Sequence, residues 1–271
     1  TIGSGVRVKF GPNGRLTVDG VLRALGTAAS QIRFTSADPY PWRGDWQGIR
    51  FTDTSVDGSC VLSNVVVEYA QNGISCYDAS PTILNSTIRQ CSQNGIYLER
   101  SSPLIKGNTI EYNGYDGVRC YYRSSPQILG NNIWANDSDG VELSASTGNT
   151  NYHCYPLIQG NVLVDNTGYA VYCHDYYHAE EVTINACNNW WGTADPAAIA
   201  EKIYDFTDYP TYSPVVDFGS WLGAVGGAPV GGFYTSGPVR SNTTWSAAQS
   251  PVGLIGNVLV LSNATLTIEP G

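Results

Sequence analysis

The residues best suited to chemistry are tyrosine, arginine, histidine and acidic side chains in the middle of the chain. All three histidines lie between residues 153 and 178. Side chains of these types can act as general acids and bases, and tyrosine can stack on sugar rings, so they predict a glycan-binding face. Its residues are Tyr97, Arg119, Tyr121, Glu142, Tyr172, His174 and Tyr176. The structural alternative is that flat β surfaces favour tyrosine and pair Arg with Glu across strands.

The sequence evidence for a metal site or a catalytic site is weaker. His174, Asp175 and His178 have the types of metal ligands, but the surrounding strands favour a loop, where their spacing loses the geometry of a helix. The sequence contains no Ser/His/Asp or Cys/His arrangement and no Gly-rich phosphate loop. We therefore predict no catalytic residue, metal or cofactor. A lyase- or epimerase-like activity on polysaccharide stays as an alternative.

Composition narrows the class of protein. The chain has 271 residues, of which 14% are charged and 30 are Gly, with a net charge of −9. This acidity argues against a nucleic-acid partner. No apolar run reaches the roughly 18 residues that a membrane span needs. Few charges together with many Gly, Asn, Thr and Tyr residues favour a β-rich protein at the cell surface or outside the cell.

The middle of the chain is periodic. Gly73, Gly95, Gly117 and Gly140 each precede a β-branched residue, at spacings of 22, 22 and 23. A fixed period of this length indicates stacked structural repeats. Each unit is too short for a helical crossover and holds short strands separated by turns. The sequence therefore predicts an all-β right-handed parallel β-helix with coils of about 22 residues.

Aligning the coils on these glycines produces columns of inward-facing residues. One column is Ile74, Ile96, Val118, Val141 and Val171, and two residues later come Cys76, Leu98, Cys120, Leu143 and Cys173. The three cysteines never fall in adjacent coils, which places them beyond disulfide reach and predicts core thiols. A bond from Cys154, in the insertion 144–155, to Cys173 or Cys187 is left open.

A polar column accompanies the apolar ones. Asn64, Asn108, Asn131 and Asn161, with Ser86 between the first two, lie two residues before an apolar column. Stacked amides can hydrogen-bond along such a column at the strand spacing of about 4.8 Å. We interpret these residues as a structural asparagine ladder.

The chain divides into five predicted segments. Asp195-Pro196 followed by helix-forming residues predicts one short helix near 196–203. The segments are N-terminal rungs over 1–58, regular central rungs over 59–192, an excursion with the helix over 193–218, a Gly-rich linker over 219–240, and a C-terminal rung over 241–271.

The motifs resemble a known family. Ser-Pro-x-Ile-x-x-Asn-x-Ile followed by Asn-Gly-Ile, Gln47-Gly48-Ile49, Asn188–Gly192 and Leu266–Gly271 are similar to those of right-handed parallel β-helix repeat proteins of bacterial and archaeal surfaces. The resemblance covers nearly the whole chain. It implies the fold, but the same fold serves lyases, hydrolases, adhesins and passive spacers. In such relatives, a segment like Ala264–Gly271 runs directly into one like Val6–Phe10.

The two ends of the chain are therefore interpreted as halves of one interrupted junction. We predict that copies stack head to tail into a surface filament or a tandem stalk, with the C-terminal strands of one copy beside the N-terminal strands of the next. The predicted interface residues are Val6, Val8, Phe10, Leu16, Val18, Val258, Val260, Leu266 and Ile268. The alternatives are a polysaccharide-binding or polysaccharide-modifying β-helix and an adhesin or spacer module of a longer protein.

Overall fold

A computed structural model describes residues 1–230 and 233–270 of the chain. Its strands up to the middle of the chain are β1 Arg7–Phe10, β2 Leu16–Val18, β3 Arg23–Leu25, β4 Ile32–Ser36, β5 Ile49–Phe51, β6 Val61–Ser63, β7 Val65–Glu68, β8 Ile74–Tyr77, β9 Thr82–Leu84, β10 Thr87–Arg89, β11 Ile96–Glu99, β12 Leu104–Lys106, β13 Thr109–Glu111 and β14 Val118–Tyr121. The later strands are β15 Gln127–Leu129, β16 Asn132–Trp134, β17 Val141–Ser144, β18 Leu157–Gln159, β19 Val162–Val164, β20 Val171–His174, β21 Thr183–Asn185, β22 Ile203–Tyr204, β23 Val215–Asp217, β24 Trp221–Leu222, β25 Pro229–Val230, β26 Phe233–Val239, β27 Thr243–Trp245, β28 Val252–Val260 and β29 Leu266–Ile268. The helix α1 spans Pro196–Ala200.

Successive coils contribute one strand to each of three parallel sheets. The first sheet has the order β1-β4-β7-β10-β13-β16-β19, the second β2-β5-β8-β11-β14-β17-β20-β22, and the third β23-β21-β18-β15-β12-β9-β6-β3. Parallel strands that wind in the right-handed sense generate a solenoid, because each connection returns to the next position of the stack. The predicted right-handed parallel β-helix is confirmed.

The inward columns of the second sheet have the predicted register. Ile74 lies beside Ile96, which lies beside Val118, and all three side chains are fully buried. The neighbouring column alternates Cys76, Leu98 and Cys120, so a leucine separates each pair of thiols. The prediction of core thiols is confirmed. Burial raises the pKa of Cys76 above its usual range and keeps this thiol neutral.

No disulfide closes the insertion 144–155, because all seven cysteines are free thiols. Cys154 is fully buried and its Sγ lies 3.8 Å from the carbonyl oxygen of Cys120. Hydrogen bonds hold the insertion instead. The Tyr176 hydroxyl donates to the Cys154 carbonyl at 2.9 Å, and the Tyr155 N–H donates to Ser125 Oγ at 3.0 Å.

The asparagine ladder runs up the corner between the third and first sheets. Asn108 Nδ2 donates to Asn131 Oδ1, and Asn131 Nδ2 donates to Asn161 Oδ1, each at 3.0 Å. The ladder continues to Asn189, whose Oδ1 accepts from Asn161 Nδ2 at 3.0 Å. Each amide is fully or almost fully buried. Water does not reach the buried polar groups at this corner, so these contacts supply their hydrogen-bond partners.

Asn64 does not belong to this ladder, so that part of the prediction is wrong. Val67 pairs with Ile88, which shifts the earlier strand by one residue and places Val65 opposite the ladder position of Ser86. Asn64 instead has φ 50°, in the left-handed region, and its Nδ2 contacts the Gly26 carbonyl and Ser63 Oγ. A one-residue shift moves a side chain to the other face of a strand.

A second asparagine ladder lies at the corner between the first and second sheets. Asn113 Nδ2 donates to Asn136 Oδ1 and Asn136 Nδ2 donates to Asn166 Oδ1, each at 2.9 Å. Both ladders follow the same coil spacing, five residues apart in each coil. Two corners of the solenoid are therefore fixed by amide stacks of the same kind.

After residue 192 the coils become irregular, and of the strands described there only β22 and β23 still join the second and third sheets. Asp195 caps α1 by accepting from the Ala197 N–H at 3.0 Å, which confirms a short helix here, but the helix ends at Ala200 and Ile203 already lies in β22. Residues 219–240, predicted as a linker, contain β24 and β25, which pair antiparallel, and β26, which pairs in parallel with β28. Gly231, Gly232 and Gly271 of the predicted segments lie outside the described residues. Arg240 fastens this part to the last coil, since its Nη2 donates to the Val182 carbonyl at 3.0 Å.

Removing one amide of the first ladder tests its role. We expect Asn131→Ala to lower the free energy of unfolding by about 3–5 kcal/mol, because it leaves the Asn108 N–H and the Ile105 carbonyl without their partner. Chemical denaturation followed by circular dichroism measures the change. Asn132→Ala, one residue away on the exposed face, is the control and should cost less than about 1 kcal/mol. Equal losses in the two variants contradict the role assigned to the ladder.

Candidate functional site

The N-terminal end of the solenoid presents strand edges without a partner. Among residues 1–230 and 233–270, β1 pairs only with β4 and β2 pairs only with β5. A strand at the end of a parallel stack keeps a row of main-chain N–H and C=O groups that can pair with another strand. The third sheet is partly covered here, because Ile2 forms a parallel bridge with Ala24.

The C-terminal strands present a matching pair of edges. Within the described parts of the chain, β28 pairs only with β26 and β29 pairs only with β27, both in parallel. Phe10 and Leu16 are six residues apart, as are Val260 and Leu266. The turn between β28 and β29 therefore separates its two strands by the same number of residues as the turn between β1 and β2.

The predicted interface residues are partly uncovered at these edges. Val6 is 42% exposed, Val260 43% and Ile268 66%. Val8, Phe10, Leu16, Val258 and Leu266 are half-buried, and Val18 is buried. Val8, Phe10 and Leu16, in the first coil, pack against the core. The apolar interior thus continues to the first coil, where part of it is exposed.

Charge is distributed unevenly along the solenoid. Residues 1–50 hold seven Lys and Arg against three acidic residues, whereas residues 175–270 hold two against nine. The first coils are therefore basic and the last part of the chain is acidic. Opposite charge at opposite ends favours head-to-tail encounter of two copies and disfavours encounters between like ends.

A second candidate site is a groove on the outer face of the second sheet. It encloses about 410 Å³ and its walls carry tyrosine rings, amides and one guanidinium group. The lining residues are Asn72, Tyr77, Gln93, Asn94, Tyr97, Tyr115, Arg119 and Tyr121. The register of the sheet places Tyr97 beside Arg119 and Glu99 beside Tyr121. Three predicted residues of the glycan-binding face, Tyr97, Arg119 and Tyr121, are thus brought together.

An ion-pair network adjoins this groove. Glu142, only 6% exposed, lies between Arg119 Nη1 at 3.0 Å and His174 Nε2 at 2.8 Å. His174 Nδ1 also lies 2.8 Å from Asp175 Oδ2. Tyr172 stands beside Glu142 in the next coil and stacks on His174, with ring centroids 4.7 Å apart. The predicted Glu142, Tyr172 and His174 therefore form one connected surface.

Asp116 is the most perturbed acid of this surface. Burial, reinforced by its hydrogen bond with Glu142, raises the pKa of Asp116 to about 8. Burial also opposes ionisation of Glu142, but hydrogen bonds from His174 and Asp116 outweigh it and lower the pKa of Glu142. Burial disfavours the His174 cation, but Glu142 and Asp175 outweigh this effect and raise the pKa of His174. At neutral pH, Asp116 and Glu142 therefore share one proton.

Tyr176 does not belong to the glycan-binding face, so that part of the prediction is wrong. Its side chain is fully buried, and its ring centroid lies 5.1 Å from that of His153. Asp175, with φ 63°, turns the chain directly after β20, so the alternation of the strand ends before Tyr176. The potential ligand atoms of His178, Glu180 and Glu181 lie within 4.8 Å of one another. Exposed acidic groups of this kind are common without an ion.

Sequence reasoning missed Asp116, Tyr77 and Tyr115. Asp116 occupies the position held by Asn72 and Asn94 in earlier coils, where each side-chain oxygen accepts the N–H of the next coil. The signal was present, because residue 116 precedes Gly117 as Asn94 precedes Gly95. Tyr77 could have been placed by extending the column of Glu99 and Tyr121 back by one coil.

The fold and its surfaces define a parallel β-helix with a polar aromatic face. The family model described as a right-handed β-helix region matches residues 47–189, more than half of the chain. The chain belongs to this family. Comparison with curated proteins and with solved structures finds no match. Among the described residues, no helix is long and apolar enough to cross a membrane.

The acid pair makes a prediction about pH and stability. Folded Asp116 keeps its proton up to about pH 8, whereas an unfolded Asp releases it near 3.8, so this residue lowers stability as pH rises between these values. Asp116→Asn has the shape of the neighbouring amides and cannot ionise. We expect equal unfolding free energies near pH 4 and a variant more stable by a few kcal/mol at pH 8.

Denaturant unfolding at a series of pH values measures this difference. Asp53→Asn, at an exposed turn, is the control and should show no growing difference. A constant loss of stability in Asp116→Asn at every pH contradicts a shared proton at this position.

Proposed function

We propose that this chain is a structural protein that assembles head to tail, copy upon copy, into a filament or stalk at the cell surface or outside the cell. In this arrangement β28 and β29 of one copy add to β1 and β2 of the next. Main-chain hydrogen bonds supply the affinity, and the inward side chains fix the register.

The observation that carries this proposal is the pair of complementary open edges. β1 and β2 offer parallel edges at one end, and β28 and β29 offer parallel edges with the same spacing at the other. Because the contact joins two different surfaces, it does not close on itself and generates a linear polymer. The same strands meet whether copies are separate subunits or successive repeats of one chain.

Side-chain chemistry at the edges supports the same arrangement. Equal spacing aligns Ile268 with Val18 and Val260 with Phe10 in the joined stack. Val18 is 6% exposed beneath its own coil, whereas Ile268 is 66% exposed on its free edge. Joining the ends would bury Ile268 as the next layer of the core, which is worth about 1.5–3 kcal/mol for a side chain of this size.

A charge at the inward position tests the proposal. In Ile268→Asp, the joined stack would hold a carboxylate in its apolar interior, at a cost that prevents assembly. Thr267→Asp, on the same strand with an exposed side chain, is the matched control and should assemble like the unmodified protein. Sedimentation velocity then separates 29.2 kDa single chains from multiples of that mass.

Two results oppose the proposal. If the unmodified chain sediments as single chains at every concentration, then its ends do not join. If Ile268→Asp assembles as well as Thr267→Asp, assembly uses another surface. Circular dichroism spectra of both variants show whether the solenoid itself is intact.

A second candidate function is glycan binding in the tyrosine groove of the second sheet. Its support is the convergence of four tyrosines with Asn72, Gln93 and Asn94 around about 410 Å³, a volume usual for small-ligand sites. Tyr121 stacks on Tyr122 with ring centroids 3.8 Å apart, which holds its ring in place. The surface could act on its own or as the lateral face of an assembled filament.

Calorimetric titration with xylohexaose and with hexagalacturonate tests the groove. We expect Tyr121→Ala to weaken binding at least about tenfold, since an anchoring aromatic ring commonly contributes that much. Tyr209→Ala removes an exposed ring elsewhere and should leave binding unchanged. Absence of binding by the unmodified protein, or equal affinity in both variants, argues against this second function.

A further inference from the structure

The loop between β4 and β5 carries the two most exposed aromatic side chains in the described part of the chain. Tyr40 is 88% exposed and Trp42 is 76% exposed. Trp46, four residues further on, is fully buried and stacks on Phe10 with ring centroids 4.1 Å apart. One tryptophan of this loop thus enters the core while another remains in water. Exposing large rings in this way marks a recognition surface.

Hydrogen bonds tie down the backbone of this loop on both sides of the exposed rings. Asp45 Oδ2 accepts from the Trp42 N–H at 3.0 Å, and Asp38 Oδ1 accepts from the Tyr40 N–H at 2.8 Å. The Gly44 N–H donates to the Tyr69 carbonyl at 3.1 Å. Gly44 has φ +93° and lies against Ser92, so its backbone conformation and close approach favour glycine. Pre-organised aromatic groups lose little conformational entropy on binding.

A groove of about 380 Å³ lies beside Trp42. Its walls are Pro41, Trp42, Arg43, Tyr69, Arg89 and Gln90. They combine two aromatic rings with the amide and guanidinium groups of three polar side chains. Such a mixture offers apolar faces and directed hydrogen bonds within one small concavity, which is usual for small-ligand sites.

The charges of the groove select among ligands. Arg89 Nη2 lies 2.9 Å from Glu68 Oε2, and Arg43 is paired with Asp137. Each guanidinium group therefore already contacts a carboxylate, although Glu68 divides its charge between Arg89 and Arg33. An anionic ligand would have to compete with these partners, whereas a neutral ligand can use the remaining N–H groups and the Gln90 amide.

We propose that the groove beside Trp42 binds a neutral oligosaccharide. A pyranose ring has an apolar face of C–H groups that packs on Trp42 or Tyr69, and hydroxyls that pair with Gln90 and the arginines. The site differs from the tyrosine groove of the second sheet in every lining residue. The groove shares no lining residue with the strand edges proposed for assembly, so a filament would display one such site per copy.

Calorimetric titration with neutral linear hexasaccharides tests this site. The probes are cellohexaose, xylohexaose, mannohexaose and chitohexaose, and hexagalacturonate is the anionic comparison. We expect at least one neutral probe to bind, Trp42→Ala to weaken its binding at least about tenfold, and Trp42→Phe to retain part of the affinity. Tyr155→Ala, which removes a 53% exposed ring elsewhere, should leave the affinity unchanged.

Several outcomes overturn the proposal. These are no binding of any neutral probe at millimolar concentration, stronger binding of hexagalacturonate than of the neutral probes, or affinity unaffected by Trp42→Ala. Loss of binding in Tyr121→Ala but not in Trp42→Ala would assign the sugar to the other groove. If Trp42→Ala changes the mass of assemblies and no sugar binds, the exposed ring is a protein contact and the inference is wrong.

Discussion

Every coil of this solenoid depends on main-chain hydrogen bonds to the coils before and after it. Parallel strands such as β8, β11 and β14 satisfy both edges in this way, and their inward side chains form one continuous apolar interior. The constraint has no natural end point, because the last coil always leaves an edge without a partner. A solenoid must therefore be capped or continued. We propose that a second copy continues the edges of β1, β2, β28 and β29.

Polar groups at the corners are constrained in the same way. Asn108, Asn131 and Asn161 connect successive coils through buried amides that no water reaches. At the corner that leads into the second sheet, the stack changes from Asn94 to Asp116. Ionisable groups, Asp116 and then Asp139, thus occupy a column that neutral amides fill in the earlier coils. Asp116 lies beside Arg119 and Glu142, at the edge of the tyrosine groove. The proton that Asp116 keeps is therefore buried next to this groove.

Periodicity made much of the fold predictable from the sequence. The spacing of Gly73, Gly95 and Gly117 was enough to place the inward columns, because each coil repeats one set of contacts. The register of Asn64 was not predictable from this spacing, since Val67 precedes Ile88 by 21 residues whereas Ile88 precedes Ile110 by 22, and a single residue exchanges the two faces of a strand.

The candidate site was less accessible from the sequence than the fold. Tyr176 was misplaced because the left-handed turn at Asp175 ends the alternation of the strand. The exposed ring of Trp42 and the buried ring of Trp46 belong to one loop, and no periodic pattern separates them. Position in a strand predicts which face a residue occupies. Exposure in an irregular loop depends on individual hydrogen bonds, here those of Asp38 and Asp45.

Disulfide cross-linking across the proposed junction tests the central claim most directly. Lys9 precedes Leu16 by seven residues as Leu259 precedes Leu266, so the joined stack places residues 9 and 259 side by side at about the strand spacing, within disulfide reach. Six of the seven native thiols are buried and only Cys187 is partly accessible. Lys9→Cys/Leu259→Cys is therefore made together with Cys187→Ser, which removes this accessible thiol. Oxidation should produce a ladder of multiples of 29.2 kDa that reductant collapses, whereas Lys9→Cys/Asn263→Cys, four residues out of register, should not. Single chains in both variants, or equal ladders in both, would contradict head-to-tail strand addition.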